Sequence, residues 1–274
     1  MITVGCDPEL FLKKEGKFVS AHGLIPGTKE DPHPVPHGAV QVDGLAVEFN
    51  IDPATTLVEF RRNIREVLTQ LEGMLPEYSV EAIPLVNFGE EYMRTQPEEA
   101  LELGCDPDYN AYTGEANDRP NGDVPFRTAG GHVHIGWTTD APLDHPEHLE
   151  ACRMLTRELD FYLGLPSLFW DREDGRRAMY GMPGAFRAKS FGVEYRSLSN
   201  AWLTSDRLID FVYSQTNRAF TNLADGRSIY NMFPRIAMAA MSNNDRDLAL
   251  VMLRHDVGIL GDDYDWFMET FVKE

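Results

Sequence analysis

Four short segments alternate polar and apolar side chains with the two-residue period of a β-strand, and this pattern most restricts how the chain can fold. The segment HVHIGW begins at residue 132, and its alternation puts His132 and His134 on one strand face, about 7 Å apart. The other polar pairs with this spacing are Asp7 and Glu9, Glu48 and Asn50, and Glu194 and Arg196. Burial of several carboxylates in one place is costly unless cations neutralise them. These segments therefore predict a sheet whose polar face surrounds a cation site.

Two other interpretations of these pairs stay open on the residues alone. The histidines can be hydrogen-bonded core residues, because histidine is intermediate between buried and exposed residue types. Any single pair can also be the solvated face of an antiparallel strand. Four pairs that all combine metal-ligand residue types favour the metal interpretation. Oxygen-rich sets with an imidazole suit Mg²⁺ or Mn²⁺ better than a structural zinc ion.

The predicted elements mix hairpins, strands and helices without strict β–α alternation, which favours an α+β fold with a largely antiparallel sheet. The first hairpin is predicted to turn at residues 15–17, and Pro8 places its first strand at an edge or in a bulge. Asp43-Gly44 indicates a second hairpin turn. Helices are predicted from Asp52 to about Leu75, over 145–164, from Asp206 to Gly226 with Ser205 as N-cap, and in 243–256 and 263–274.

Turn-forming residues mark three segments that are predicted to lack regular structure. These are a loop at 22–38, a long polar excursion at 89–127, and a basic loop at 170–190. Glycines in the basic loop would allow a flap over a site at 175–192. We predict one domain over 1–274, with a helical C-terminal part at 205–274.

The composition excludes several classes of protein. Lys and Arg number 25 against 44 Asp and Glu, and the net charge of −19 opposes binding to duplex nucleic acid or to anionic membrane surfaces. The three cysteines form no CxxC pair, which argues against a disulfide framework and fits a reducing cytoplasm. The N-terminus lacks a signal-peptide pattern, and no apolar run is as long as a membrane span, which needs about 18 residues. We expect a cytoplasmic protein without membrane or nucleic acid duplex partners.

A local excess of basic residues lies between positions 172 and 196 of this acidic chain. Its members are Arg172, Arg176, Arg177, Arg187, Lys189 and Arg196. Arginine forks suit phosphate oxygens, although surface salt bridging is the alternative. Together with a metal site, this segment predicts a nucleotide handled by phosphoryl transfer. The chain has no P-loop, dinucleotide or kinase signature, so the nucleotide must bind in another kind of site.

At this point four motifs carry a family resemblance. GCDPELF, VDGLAVEFNID, AGGHVHIGW and GVEYRSLSNAWL resemble the motif series of phage-type amidoligases, which are predicted carboxylate–amine ligases of the glutamine synthetase and glutamate–cysteine ligase superfamily. The similarity runs in order from residue 5 to about residue 203. It implies a curved, mostly antiparallel sheet in an open half-barrel, with helices packed on one face, that binds ATP and two or three Mg²⁺ or Mn²⁺ ions.

The resemblance also assigns roles to residues that match the motifs. The implied metal ligands are Asp7, Glu9, Glu48, His132 and Glu194. The implied nucleotide-binding residues are His134, Arg187, Lys189, Arg196 and, in the basic segment, Arg177. The implied catalytic residues are Glu194, Arg196 and Arg187. The chain is much shorter than glutamine synthetase, so no oligomeric state is inferred.

The resemblance implies an ATP-dependent ligase that forms an amide bond through an acyl phosphate. Its partners would be small-molecule or peptide carboxylates and amines, in the host cytoplasm if a phage encodes it. An acidic residue between positions 98 and 118 would accept the amine proton. A metal-dependent hydrolase of amide or phosphoester bonds and a catalytically inactive acidic binding protein of the same fold are the alternatives.

Overall fold

The computed structural model describes residues 2–102, 108–118, 122, 124–255 and 258–272. Its strands are β1 (Thr3–Cys6), β2 (Glu9–Lys14), β3 (Lys17–Val19), β4 (His33–Val35), β5 (Gly38–Asp43), β6 (Ala46–Ile51), β7 (Ser79–Glu81), β8 (Leu85–Asn87), β9 (Tyr109–Asn110), β10 (Phe126–Thr128), β11 (Val133–Gly136), β12 (Ala185–Lys189) and β13 (Gly192–Tyr195).

The α-helices alternate irregularly with these strands and dominate the C-terminal third. They are α1 (Leu57–Met74), α2 (Glu90–Met93), α3 (Glu98–Leu101), α4 (Pro146–Leu159), α5 (Leu165–Trp170), α6 (Asp174–Met179), α7 (Asp206–Ala224), α8 (Ile229–Met232), α9 (Ile236–Ser242), α10 (Arg246–Leu253) and α11 (Tyr264–Phe267). Residues Asp160–Gly164 and Met268–Val272 form wider π turns, and Asn200–Thr204 and Gly261–Asp263 form 3₁₀ turns. Among the described residues, no helix has the length and apolar character needed to cross a bilayer.

Two larger antiparallel sheets organise the described part of the chain. The first has the strand order β1-β11-β13-β12-β9, and the second has the order β3-β2-β6-β5-β4 with β7 also paired to β2. Strands β8 and β10 form a separate ribbon. Helix α4 packs against β12 and β13, and α1 packs against β5 and β6. The prediction of helices combined with antiparallel sheet structure is confirmed.

The chain passes from the first sheet to the second at Asp7 and Pro8. Proline has no backbone N–H to donate to a sheet, so the strand is interrupted there. On either side, Asp7 N–H donates to His132 O at 3.4 Å and Glu9 N–H donates to Gly130 O at 3.0 Å. The single strand that was expected at an edge or in a bulge is therefore two strands in different sheets, with β1 at an edge of the first, and both border residues 130–132.

The first long helix begins later than the sequence indicates. It was expected to begin at Asp52, but the N-cap is Thr56, which forms a capping box with Glu59. The backbones of Val4 and Ala54 exchange hydrogen bonds of 2.8 and 2.9 Å. This pairing holds the segment before the helix extended, and a tertiary contact thus overrides the local helix signal.

Three further expectations about local structure are wrong. The 22–38 loop contains β4, because that stretch pairs with β5. The helix expected to end near Gly164 continues to Trp170. Gly164 does not end the helix but allows close packing, because a Cβ there would lie 2.4 Å from Met241 Sδ. The basic loop at 170–190 contains α6 and β12.

A buried carboxyl ties the loop before residue 118 to the core of the first sheet. Asp160 is fully buried and accepts hydrogen bonds from Tyr112 Oη at 2.8 Å and Tyr195 Oη at 2.7 Å. Burial raises the pKa of Asp160 to about 7, because a low-dielectric surrounding disfavours the charged form. Since Tyr195 lies on β13, this interaction fixes the Tyr112 loop against the central strand.

Two glycine-to-alanine substitutions, one at Gly131 and one at Gly73 as its control, test the packing around residue 131. A Cβ on Gly131 would lie 2.2 Å from Ser199 O and 2.6 Å from Trp202 Nε1, so Gly131→Ala should lower the free energy of unfolding by about 1–3 kcal/mol. A Cβ on Gly73 in α1 would meet nothing within 4 Å, so Gly73→Ala should raise it by about 0.5–1 kcal/mol. Urea denaturation measures both values. Equal effects of the two substitutions would contradict the described packing.

The Asp160 carboxyl predicts a pH-dependent loss of stability. An unfolded aspartic acid ionises near about pH 3.9, whereas folded Asp160 has a pKa of about 7. The folded state binds the additional proton between these values, so the stability from this group is complete below the unfolded pKa and is lost as pH rises through the folded pKa. Wild type should therefore lose more stability than Asp160→Asn between about pH 5 and about pH 8. The same dependence of stability on pH in wild type and in Asp160→Asn would contradict this prediction.

Candidate active site

A cavity of about 110 Å³ is bordered by strands of both large sheets. Six of the residues that the motifs single out line it: Asp7, Glu9, Glu48, His132, Arg187 and Arg196. His134 and Glu194 are not lining residues but form ion pairs with them. Lys189 lies one step further out and pairs with Glu194. The fold therefore brings together residues that are almost two hundred positions apart in the chain.

The first cluster of potential metal ligands, which we call the histidine group, consists of Asp7, His134 and Glu194. Each offers one ligand atom, and these atoms lie within 4.8 Å of one another. Strand register explains the proximity, because His134 on β11 is opposite Glu194 on β13. His134 Nε2 lies 3.1 Å from Asp7 Oδ1.

His132 reaches the same carboxylates from the same strand face. Its Nδ1 lies 3.4 Å from Asp7 Oδ1 and 3.6 Å from Glu194 Oε1. Both imidazoles thus contact Asp7, as the two-residue spacing predicts, and both have carboxylate neighbours. The resemblance assigns the metal to His132. The three ligand atoms that lie within 4.8 Å of one another, however, belong to Asp7, His134 and Glu194.

The second cluster, which we call the acidic triad, consists of Glu9, Asp43 and Glu48. These three carboxylates also offer oxygens within 4.8 Å of one another. Glu9 on β2 is opposite Glu48 on β6, and the β5–β6 hairpin brings Asp43 to the same place. The structure therefore divides the expected carboxylate cluster into two groups.

Asp43 is a site residue that the sequence analysis missed, because Asp43-Gly44 indicates a hairpin turn. The two-residue alternation of β5 could have identified Asp43. Gln41 is opposite Glu48, and Asp43 lies two residues further along the same strand. Alternation along a strand therefore places Asp43 on the face of Glu48.

In the acidic triad, burial and mutual repulsion favour protonated carboxyls. Burial raises the pKa of Glu9 to about 7, and the charge of Asp43 adds to this rise. Burial raises the pKa of Glu48 well above its usual value, with repulsion from Asp7 and Asp43. A divalent cation would relieve the repulsion and favour ionised carboxylates. The donor set, which is all oxygen, fits Mg²⁺ or Mn²⁺.

In the histidine group, cations outweigh the effect of burial. Against that effect, the charges and hydrogen bonds of His134 and His132 hold the pKa of Asp7 well below its usual range. Burial and repulsion from Asp7 act to raise the pKa of Glu194. Attraction to Arg196 and to the two histidines outweighs both effects and lowers this pKa to about 2. These two carboxylates are therefore ionised at neutral pH.

The two histidines differ in their preference for a proton. Burial and the charge of Arg196 lower the pKa of His132. Burial also disfavours a charge on His134, but attraction to Asp7 raises its pKa overall. A neutral imidazole binds metal ions and a protonated one donates to anions. The surroundings therefore lower the proton affinity of His132 and raise that of His134.

Three cations converge on Glu194, whose side chain is 0% exposed. Lys189 Nζ lies 2.8 Å and Arg187 Nη1 lies 3.6 Å from Glu194 Oε2. Arg196 Nη1 donates to Glu194 Oε1, and Arg196 Nε lies 3.4 Å from Asp108 Oδ2. These contacts surround a buried carboxylate, so they are not the exposed surface pairs of the alternative interpretation.

Tyr180 is a second residue that the sequence analysis missed. Its hydroxyl accepts a hydrogen bond from Arg196 Nη2 and lies 3.3 Å from His132 Nε2. The residue follows α6 inside the segment expected to be a loop, and no periodic pattern marks it. Its position depends on how that segment packs against β13.

The structure does not bring Arg177 to the cavity. Its guanidinium donates to Asp171 O at 2.9 Å and Ser167 O at 3.2 Å. Arg177 thus fastens α6 to the end of α5, and its expected role in nucleotide binding has no support in this geometry. Residues 103–107 of the acidic loop between positions 98 and 118 lie outside the described residues, as do 119–121 and 123 of the polar excursion.

The glycines around the HVH stretch make room for protein atoms. A Cβ on Gly130 would lie 2.3 Å from His132 Nε2. A Cβ on Gly131 would lie 2.2 Å from Ser199 O, and one on Gly136 would lie 2.4 Å from Thr3 Oγ1. Side chains at these positions would therefore disturb the packing around both histidines.

Comparisons with known proteins give one family match. No curated protein matches the chain in sequence. A solved structure titled "Crystal structure of novel glutamine synthase homolog" is 12% identical, with a TM-score of 0.39 over 98% of this chain and 70% of that chain. The model of the family "Phage phiEco32-like COOH.NH2 ligase-type 2" matches residues 120–219, which include both histidines, Glu194 and Arg196. This match confirms the resemblance to phage-type amidoligases.

Proposed function

We propose that the protein is an ATP-dependent carboxylate–amine ligase that forms an amide bond through an acyl-phosphate intermediate. The observation that carries the proposal is the position of two metal-ligand groups beside the cations that converge on Glu194 and Arg196. Ligands for divalent cations next to arginine forks match the needs of a polyphosphate. The family name supports the ligase class.

The proposed reaction has two steps. A carboxylate of a small molecule or peptide attacks the γ-phosphorus of ATP, which releases ADP and leaves an acyl phosphate. An amine then attacks the acyl carbon, and inorganic phosphate leaves. Arg196 and Arg187 would hold the oxygens of the transferred group, where negative charge is concentrated. Lys189 and His134 would hold the adjacent phosphates.

The residues that would hold metal ions are those of the acidic triad, together with Asp7, Glu194 and His132. Two or three Mg²⁺ or Mn²⁺ ions, when bound, would neutralise the phosphate charge. In the described part of the acidic loop, Glu102 lines the cavity while Asp108 pairs with Arg196. We therefore propose Glu102 as the group that accepts the amine proton.

The remaining proposals concern the chain as a whole. We propose that residues 1–274 form one catalytic domain and that its sheets form the open half-barrel implied by the resemblance. The switch between sheets at Asp7 and Pro8 supports this, because it puts ligands from both sheets around one cavity. Cys6 and Cys152 are buried free thiols, which fits a cytoplasmic setting.

Loss of the Glu194 carboxylate should abolish ligation. Glu194→Gln removes the charge that Arg196, Arg187 and Lys189 contact, so ADP release with carboxylate, amine and Mg²⁺ should fall by roughly 100-fold or more. The matched control is Glu158→Gln, because Glu158 is 1% exposed but accepts its hydrogen bonds from the Ser228–Tyr230 segment outside the cavity. An enzyme-coupled ADP assay over panels of carboxylates and amines measures this.

The same assay separates the alternative functions. The ligase predicts one amide for each ADP released. Hydrolysis of an amide or phosphoester without ATP would support the hydrolase and reject the ligase. A folded wild-type protein with neither ADP release nor hydrolysis would support the catalytically inactive binding protein.

Removal of one acidic-triad ligand should change metal binding selectively. Asp43→Asn should weaken one class of Mn²⁺ sites about tenfold or more and leave unchanged the sites formed by Asp7, Glu194 and His132. Because burial raises the pKa of Glu9 to about 7, protons compete with the metal, and Mn²⁺ affinity should rise between about pH 6 and about pH 8. Calorimetric Mn²⁺ titration measures both effects. Unaltered binding by the variant would show that the acidic triad is not a metal site.

A further inference from the structure

Tyr180 lies beside two arginines at the edge of the cavity. Its ring centroid lies 5.6 Å from Arg176 Cζ and 5.7 Å from Arg196 Cζ. Arg176 is completely buried and donates to Ser197 O at 2.9 Å and Leu198 O at 2.8 Å. The ring thus contacts both a guanidinium that is fixed to the main chain and the proposed phosphate-binding arginine.

The hydroxyl of Tyr180 has a different chemical character from the other acceptors around Arg196. Arg196 Nη1 donates to Glu194 Oε1, Nε lies 3.4 Å from Asp108 Oδ2, and Nη2 donates to the Tyr180 hydroxyl. The hydroxyl is the neutral member of these three acceptors. The same oxygen lies 3.3 Å from His132 Nε2.

We propose that the Tyr180 hydroxyl occupies the position of a phosphoryl oxygen of the nucleotide in the resting protein and leaves when the nucleotide binds. This inference rests on the proposed function. A guanidinium binds phosphate oxygens more strongly than a neutral hydroxyl, because the pair is charge-assisted. Displacement of Glu194 or Asp108 would separate a shielded carboxylate from its cation, which is costly. The hydroxyl is therefore the acceptor that phosphate replaces.

The size of the cavity supports a displaced side chain. Pockets for drug-sized ligands measure about 300–1,000 Å³, and the cavity holds about 110 Å³. Tyr180 and the preceding Met179 both line it, so rotation of Tyr180 outward enlarges it. Gly181 follows with a φ of +73°, and a Cβ there would lie 2.4 Å from Arg176 Nη1. This glycine lets the chain turn closely over Arg176 directly after the moving residue.

Tyr180→Phe tests the inference because it deletes the hydroxyl and keeps the ring beside both arginines. Arg196 then loses an acceptor in the resting protein, so ATP and inorganic tripolyphosphate, each with Mn²⁺, should bind roughly 3- to 10-fold more tightly. A purely supporting role for the hydroxyl would not increase affinity. The matched control is Tyr230→Phe, because Tyr230 also packs on an arginine, with Arg157 Cζ 4.7 Å from its ring centroid, but does not line the cavity.

Calorimetry of both anions and the ADP assay give outcomes that separate the two proposals. Active wild-type protein with unchanged or weaker anion binding in Tyr180→Phe overturns the role of Tyr180 and leaves the ligase standing. Tighter tripolyphosphate binding by the variant, with no ADP release by wild type for any carboxylate–amine pair, supports the role of Tyr180 and overturns the ligase. Absence of anion binding in both proteins overturns the role of Tyr180.

Discussion

The burial of the Glu194 carboxylate is the constraint on which the candidate site depends. A carboxylate with no exposed surface is stable only if cations and hydrogen-bond donors replace the lost water. Strand β12 provides Arg187 and Lys189 directly beside it, and Arg196 follows the end of β13, two residues after Glu194. On the opposite edge of β13, β11 contributes His134. The order of strands in the first sheet is thus also the order of charges around one anion.

The cavity has two electrostatically different sides. Cations already compensate Asp7 and Glu194, and their pKa values are low. The carboxyls of the acidic triad mainly repel one another, and the pKa values of Glu9 and Glu48 are raised. One side is therefore ready to bind an anion next to its cations, and the other side gains most from an added divalent cation. A metal–polyphosphate complex satisfies both sides together.

The sequence predicted features that depend on local period and missed those that depend on distant contacts. The two-residue spacing identified the shared face of His132 and His134, and Ser205 is the N-cap of α7 as expected. The interruption at Pro8 became a change of sheet only because residues 130–132 lie beside it. Composition also could not predict that Arg187 lines the cavity while Arg177 does not, because this difference arises from the packing of α6 and β12.

The glycine before the HVH stretch has a consequence for the recognition of related chains. A side chain at Gly130 would occupy the space of the His132 imidazole itself. A sequence with both histidines but a larger residue at this position must turn the ring elsewhere, and its histidine would no longer face Asp7 and Glu194. The doublet Gly130-Gly131 is therefore as diagnostic of this arrangement as the histidines, and a search that scores only the histidines and carboxylates would admit chains that cannot build it.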